Sequence, residues 1–375
     1  MNNFIKTFGL QIFADSGTLV NTTQNYVNAY TGDVTAFDAQ NTLAPELKTF
    51  YDTRLLENYR VETRYAQFGR KQRLPRHGGK TVEWRRFNTF ARAEKLTEGV
   101  IPTGQKFGVT TLTGSIDQYG TYTTISDVLE MRALDDMILG ATEEMGASAA
   151  ETQEALIRDA LLVNTNVLYA QNVNGSTITT PTSPSQMGAS ASNGWAKLTP
   201  DTVNRAATKM KKDKVPTING KYVAVIHPSV AYDLRSSNEW IEVHKYAATT
   251  EIFNGEIGEL HGVRFIENTF APVLGGSVYK NKDNGVTYAT YFFGKDGFGI
   301  IDAEGGALQM IVHSKDEPGV GGPLNQFSTI GYKFESNGAT MLYPERVLRV
   351  MSTSEYSATD EANYVENTQG ATGET

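Results

Sequence analysis

A chain of 375 residues is long enough for two or three domains with a sizeable buried core. It contains no cysteine, which removes disulfides, thiolate metal sites and a cysteine nucleophile, and no apolar run approaches the ~18 residues of a membrane span. The 34 basic and 42 acidic residues give a net charge of -8, which opposes tight binding of nucleic acid across the whole surface but not enclosure of it.

Met1 to Phe13 is a poor signal peptide, with Lys6 as its one basic residue, so secretion is not expected. Residues 1 to 42 sustain no period and read as an extended arm. Pro45 starts a helix with Leu47, Phe50, Tyr51, Leu55 and Tyr59 on one side. Pro75 and Gly78-Gly79 break the chain. Lys80 to Phe87 then alternates as a strand, with Val82, Trp84 and Arg86 on one side, and Lys106 to Tyr122 reads as a second strand. Together they predict a long hairpin with an irregular tip. A two-stranded ribbon is marginal in water, so it is expected to need another surface, that of a neighbouring chain.

The longest element is a helix. Ser126-Asp127 and Asp135-Asp136 are start signals, and Ile138, Ala141, Met145, Ala149, Thr152, Leu156, Ala160 and Val163 form an apolar stripe opposite Glu143, Glu144, Glu151, Glu154 and Arg158. At ~1.5 Å per residue this rod spans about 40 Å. Gln171 to Trp195 reads as a loop without a core pattern. Thr199-Pro200-Asp201 starts another helix, with Val203, Ala206, Ala207 and Met210 inward. Tyr222 to Ile226 reads as a central strand covered on both faces, followed by a short helix capped at His227-Pro228-Ser229. Asn284-Gly285 is expected to join Val278-Tyr279 to Tyr288 to Phe293 as a strand pair, closing an α/β unit from about Thr199 to Ile301. Strands at Met310 to Val312, Ser328 to Met351 and Val347 to Val350 flank a glycine-rich crossover from Glu317 to Pro323. From Ser352 onward the acidic tail is expected to be solvated or ordered only by neighbours.

No catalytic, cofactor or metal constellation emerges. The five histidines form no ligand spacing, phosphate-binding glycine loops and the nucleophile elbow are missing, and Asp135-Asp136 with Glu143-Glu144 read as a solvated helix face. The outstanding feature is charge. Residues 54 to 95 carry +8, from twelve bases and four acids, while Asp127 to Asp159 carries -7, from nine acids and two arginines. Trp84, Phe87 and Phe90 interleave the bases, so this segment is also a candidate nucleic-acid binder.

The order of these parts resembles the major capsid proteins of tailed bacteriophages, in the branch of podophage subunits. The resemblance is carried by a polar arm, a basic hairpin with Leu96-Thr97-Glu98-Gly99, a spine helix after Tyr119-Gly120, an α/β unit with Val223 to Pro228, and closing strands at Gly331-Tyr332-Lys333 and Pro344 to Val350. It implies an α+β capsid fold with an N-terminal arm (1 to 69), an extended hairpin loop (70 to 122), a peripheral domain with the spine helix (123 to 198 and 308 to 353), an axial domain (199 to 307) and an acidic tail (354 to 375). It also implies a non-enzymatic subunit of an icosahedral shell, assembling in the host cytoplasm as hexamers and pentamers that enclose double-stranded DNA without reading its sequence.

Expected partners are further copies of the chain, a separate scaffolding protein, since the arm is too short to contain one, a portal and a decoration protein. No membrane or cofactor is expected. Contact between subunits is assigned to Trp84, Arg85, Arg86, Arg92, Lys95 and Glu98 on the hairpin and to Asp135, Asp136, Glu143 and Glu144 on a neighbour's helix. An encapsulin-like nanocompartment shell is the alternative of the same fold.

Overall fold

The computed structural model of the protein describes residues 20–21, 64–126 apart from seven positions near the hairpin tip (89, 94, 96, 97, 100, 102 and 103), 137–240, 256–313, 326–357 and 360–365. The helix expected from Pro45, Asp127 to Asp136 and the Glu317 to Pro323 crossover lie outside them. The chain divides into a larger unit (63–117, 151–306 and 335–375) and a smaller one (1–62, 118–150 and 307–334).

The larger unit is built on an eight-stranded mixed sheet. Tyr222–Ile226 runs parallel to Val263–Glu267 and antiparallel to Thr287–Phe293, which pairs in turn with Val347–Ser352. Strand alternation sorts the side chains into two cores. Tyr222, Ala224, Ile226, Phe265, Phe292, Leu348 and Val350 face the helices Pro200–Lys212 and Pro228–Arg235. Val225, Tyr291, Phe293, Val347 and Met351 face Tyr65 and the end of the long helix at Ile157 and Leu161. Both faces are covered, which is why these strands read as continuous apolar runs. The caps follow the sequence: Thr199 Oγ1 accepts from the Thr202 amide, and His227 Nδ1 accepts from the Ser229 amide.

Four expectations need correction. Val278 and Tyr279 lie in a short helix, Gly276–Tyr279, and the partner of Thr287–Tyr288 is Val273–Leu274. Gln171 to Trp195 forms a small four-stranded sheet, because Met187 and Ala189 bury themselves while Asn172 and Asp283 collect its turn hydrogen bonds. Lys106 to Tyr122 divides at Ile116: Val109–Ser115 completes the hairpin with Thr81–Phe87, and Asp117–Ser126, which includes the expected helix start at Ser126, joins a different sheet. Finally, the tail is not left to neighbours. Tyr364–Val365 adds a parallel strand beside Leu274–Gly275, and Asn363 receives the Val273 amide on its side chain while donating to Ala271 O.

The smaller unit holds a sheet in the order Val20–Asn21, Asp117–Ser126, Phe327–Ser336, Gln309–His313. Ile125, Ile330, Met310 and Val312 pack on one face with Ala141 of the helix, and Tyr332 hydrogen-bonds Ser148 there at 3.0 Å.

The long helix runs Met137–Leu162. Its expected orientation is wrong by part of a turn. Thr142, Ala149, Ala150, Glu154, Ile157, Arg158 and Leu161 are buried, whereas Val163 just beyond it is 81% exposed. The apolar stripe read from sequence misses this face because two of its residues are charged. At the helix end Arg349 Nη1 donates to Leu162 O at 2.7 Å, satisfying a terminal carbonyl and placing a cation where the helix dipole favours one.

Candidate assembly surface

The hairpin starts from a strand that belongs to the body. Arg70–Leu74 pairs with Phe298–Ala303, so the chain is already fixed when it turns at His77 to Gly79 into Thr81–Phe87. The alternation places Val82, Trp84 and Arg86 on one side, as expected, but that side is not free. Trp84 is only 8% exposed, packed with Ile116, Ile301 and Leu342 of its own chain. A Cβ on Gly299 would meet the Trp84 ring at 2.9 Å, so glycine there permits the close approach. Arg86 donates to Leu342 O at 3.3 Å and lies 5.3 Å from the Tyr343 ring, whose centroid is 3.7 Å from the Arg346 guanidinium. Trp84 and Arg86 therefore anchor the hairpin within the subunit, which corrects their assignment as contacts between subunits. The hairpin base does not depend on a foreign surface.

Beyond the base the picture changes. Phe87 and Phe107 stack at 4.8 Å between centroids and Phe90 joins Phe107 at 5.7 Å, yet the three are 63%, 59% and 55% exposed. Ile101 is also exposed, as are Arg92, Lys95 and Glu98. The charge count overstated what is available here. Arg73 pairs with Glu304, Lys80 with Asp117 and Arg85 with Glu83, all within the chain. On the helix, Glu154 and Arg158 are buried, Glu143 is half-buried and Glu144 exposed, while Asp135 and Asp136 lie outside the described residues. What sequence reasoning missed is the apolar content of the tip: Phe87 and Phe90 were visible, but Phe107 joins them only through the strand register.

The polar residues buried in the larger unit are structural. Glu154 Oε1 accepts from the Arg64 and Tyr65 amides at 2.8 and 3.1 Å and from Asn268 Nδ2 at 2.8 Å. Burial pushes its carboxyl above the ordinary value, with these hydrogen bonds pulling the other way. His227, the most enzyme-like residue of the sequence, caps a helix and sits 4.0 Å from Asp360. Asp360 in turn accepts from Ser229 Oγ at 2.6 Å, from Tyr288 Oη at 2.7 Å and from Ser357 Oγ. Burial works to raise the Asp360 carboxyl, but those hydrogen bonds and His227 bring it below the ordinary value. The Ser229 hydroxyl is thus bound to a carboxylate rather than to an imidazole base, and the cluster fastens the tail. Among the described residues no group of three or more His, Asp or Glu side chains is placed to hold a metal ion.

A family model described as phage capsid protein matches residues 109–332, more than half of the chain, and the chain belongs to that family. Solved capsids share the fold. That of cyanophage P-SCSP1u aligns at 15% identity over 78% of this chain and 88% of its own, with a TM-score of 0.56. Cyanophage Pam1 gives 13% identity over 90% and 100%, also with 0.56, and Ralstonia phage GP4 gives 14% over the same shares with 0.53. No curated protein matches the chain. The protein is a structural subunit of a phage capsid, with the α+β capsid fold that the order of its parts implied.

Proposed function

We propose that the chain builds an icosahedral shell of hexamers and pentamers around double-stranded DNA, with no catalytic step of its own. Family membership carries this reading. The hairpin is its contact element, reaching a neighbouring copy with the tip that bears Arg92, Lys95 and Glu98, since closed rings of head-to-tail contacts build capsomers. The arm, hairpin, peripheral, axial and tail segments keep the sequence boundaries, with Val347–Ser352 and residues 354–365 reassigned to the body around the axial sheet on the strength of their pairing. Assembly in the host cytoplasm on a separate scaffolding protein, around a portal and with a decoration protein, completes the proposal. Electron microscopy of purified particles tests it: hollow or DNA-filled shells are expected, and particles loaded with a protein cargo instead of DNA overturn it in favour of a nanocompartment.

A further inference from the structure

On the face of the smaller unit's sheet opposite Ile330 and Met310 lies an open groove of about 350 Å³, lined by Gly120, Thr121, Tyr122, Ile311, Thr329 and Gly331. Two of its positions have no side chain. At Gly120 a Cβ would meet Tyr332 O at 2.5 Å, and at Gly331 it would meet Thr121 O at 2.8 Å, so the sheet excludes side chains there and keeps a trough open. Tyr122 stands beside it, 66% exposed. The trough is mostly apolar, and the same chain exposes a stack of three phenylalanines on its hairpin.

We propose that the Phe87, Phe90 and Phe107 stack of one subunit seats in the Gly120/Gly331 trough of a second copy. This rests on the reading of the hairpin as the contact element and names the surface that receives it. A stacked aromatic knob and an apolar hollow on one polypeptide form a heterologous, self-complementary pair, the kind that closes rings. Charge does not explain the choice of partner. Arg92, Lys95 and Lys106 outnumber Glu98 around the knob, and Lys333 and His313 line the trough. The attraction is therefore apolar, with aromatic residues in the place where interfaces concentrate their affinity. Salt is expected to leave assembly unchanged or to speed it by screening the like charges.

The chain has no cysteine, so pairs can be introduced without background. Particles carrying Phe90→Cys together with Thr121→Cys, oxidised after assembly, are expected to run as a ladder of linked subunits on a non-reducing gel, with neither single variant doing so. Phe87→Ser with Phe107→Ser is expected to slow assembly at least tenfold while circular dichroism stays unchanged. Shells that form normally but give no ladder overturn the proposal, as does a ladder from Phe90→Cys with Glu144→Cys in its place, which would put the tip on the acidic helix. Failure of the wild-type chain to form shells at all instead overturns the capsid proposal on which this one rests.

Discussion

Glu154 shows what a single residue can do when its charge is spent on the backbone. Its carboxylate is 1% exposed and meets the amides of Arg64 and Tyr65 together with Asn268. Removing it leaves those donors buried without an acceptor, so Glu154→Ala is expected to cost ~2–3 kcal/mol, measured by denaturant unfolding. Glu151→Ala, an exposed acid three residues earlier, should cost almost nothing. His227 gives a pH dependence of definite sign. Burial holds its imidazole below the ordinary value, with Asp360 opposing that shift. The unfolded chain then takes up a proton first as pH falls below about 6.5, and stability declines until the folded imidazole protonates as well. Unfolding midpoints at pH 7.5 and 5 should differ in that direction, and His227→Gln should reduce the difference. A midpoint that rises on acidification in the wild type but not in the variant would contradict this.

At the level of elements, the sequence made most of the larger unit legible and misjudged what turns on partners distant in the chain. Pro200–Lys212 and Tyr222–Ile226 followed from capping and from an unbroken apolar run, because both signals are local. The buried face of Met137–Leu162 did not, since Glu154 and Arg158 are inward only because Arg64, Tyr65, Asn268 and Asn363 supply partners from elsewhere. The hairpin shows the same division. Its alternation was readable, but the hydrophobic seat of Trp84 is assembled from Ile301 and Leu342, more than 200 residues further on. Its base and tip therefore respond differently to mutation. Trp84→Ala is expected to destabilise the subunit by ~3–5 kcal/mol, as for other buried large-to-small changes. Arg85→Glu breaks only an exposed pair with Glu83 and should shift stability by less than ~1 kcal/mol. Thermal unfolding of the two variants side by side checks the contrast, and equal losses would mean that the base is not anchored as described.

For the molecule as a whole, the acidic tail changes meaning. Its composition reads as solvated, yet residues 353 to 365 are wired into the larger unit at successive points. Thr353 Oγ1 donates to Gly188 O, and Ser354 Oγ to Ser229 O. The Glu355 amide donates to Asp233, Asp360 gathers three hydroxyls, and Asn363 O receives Arg158 of the long helix. Tyr364–Val365 then covers the edge of the Val273–Gly275 strand, which would otherwise present open backbone groups to other chains. Acids at these positions serve as acceptors for particular donors, information that composition does not carry. A chain ending at Ser352 should therefore lose several kcal/mol and melt about 5–10 °C lower, and it should aggregate more readily through the exposed edge. Calorimetry of the truncated subunit beside the full chain measures the first effect, and light scattering the second. If the melting temperature is unchanged, the tail contacts contribute nothing to the fold, and its role has to be sought in the assembled shell.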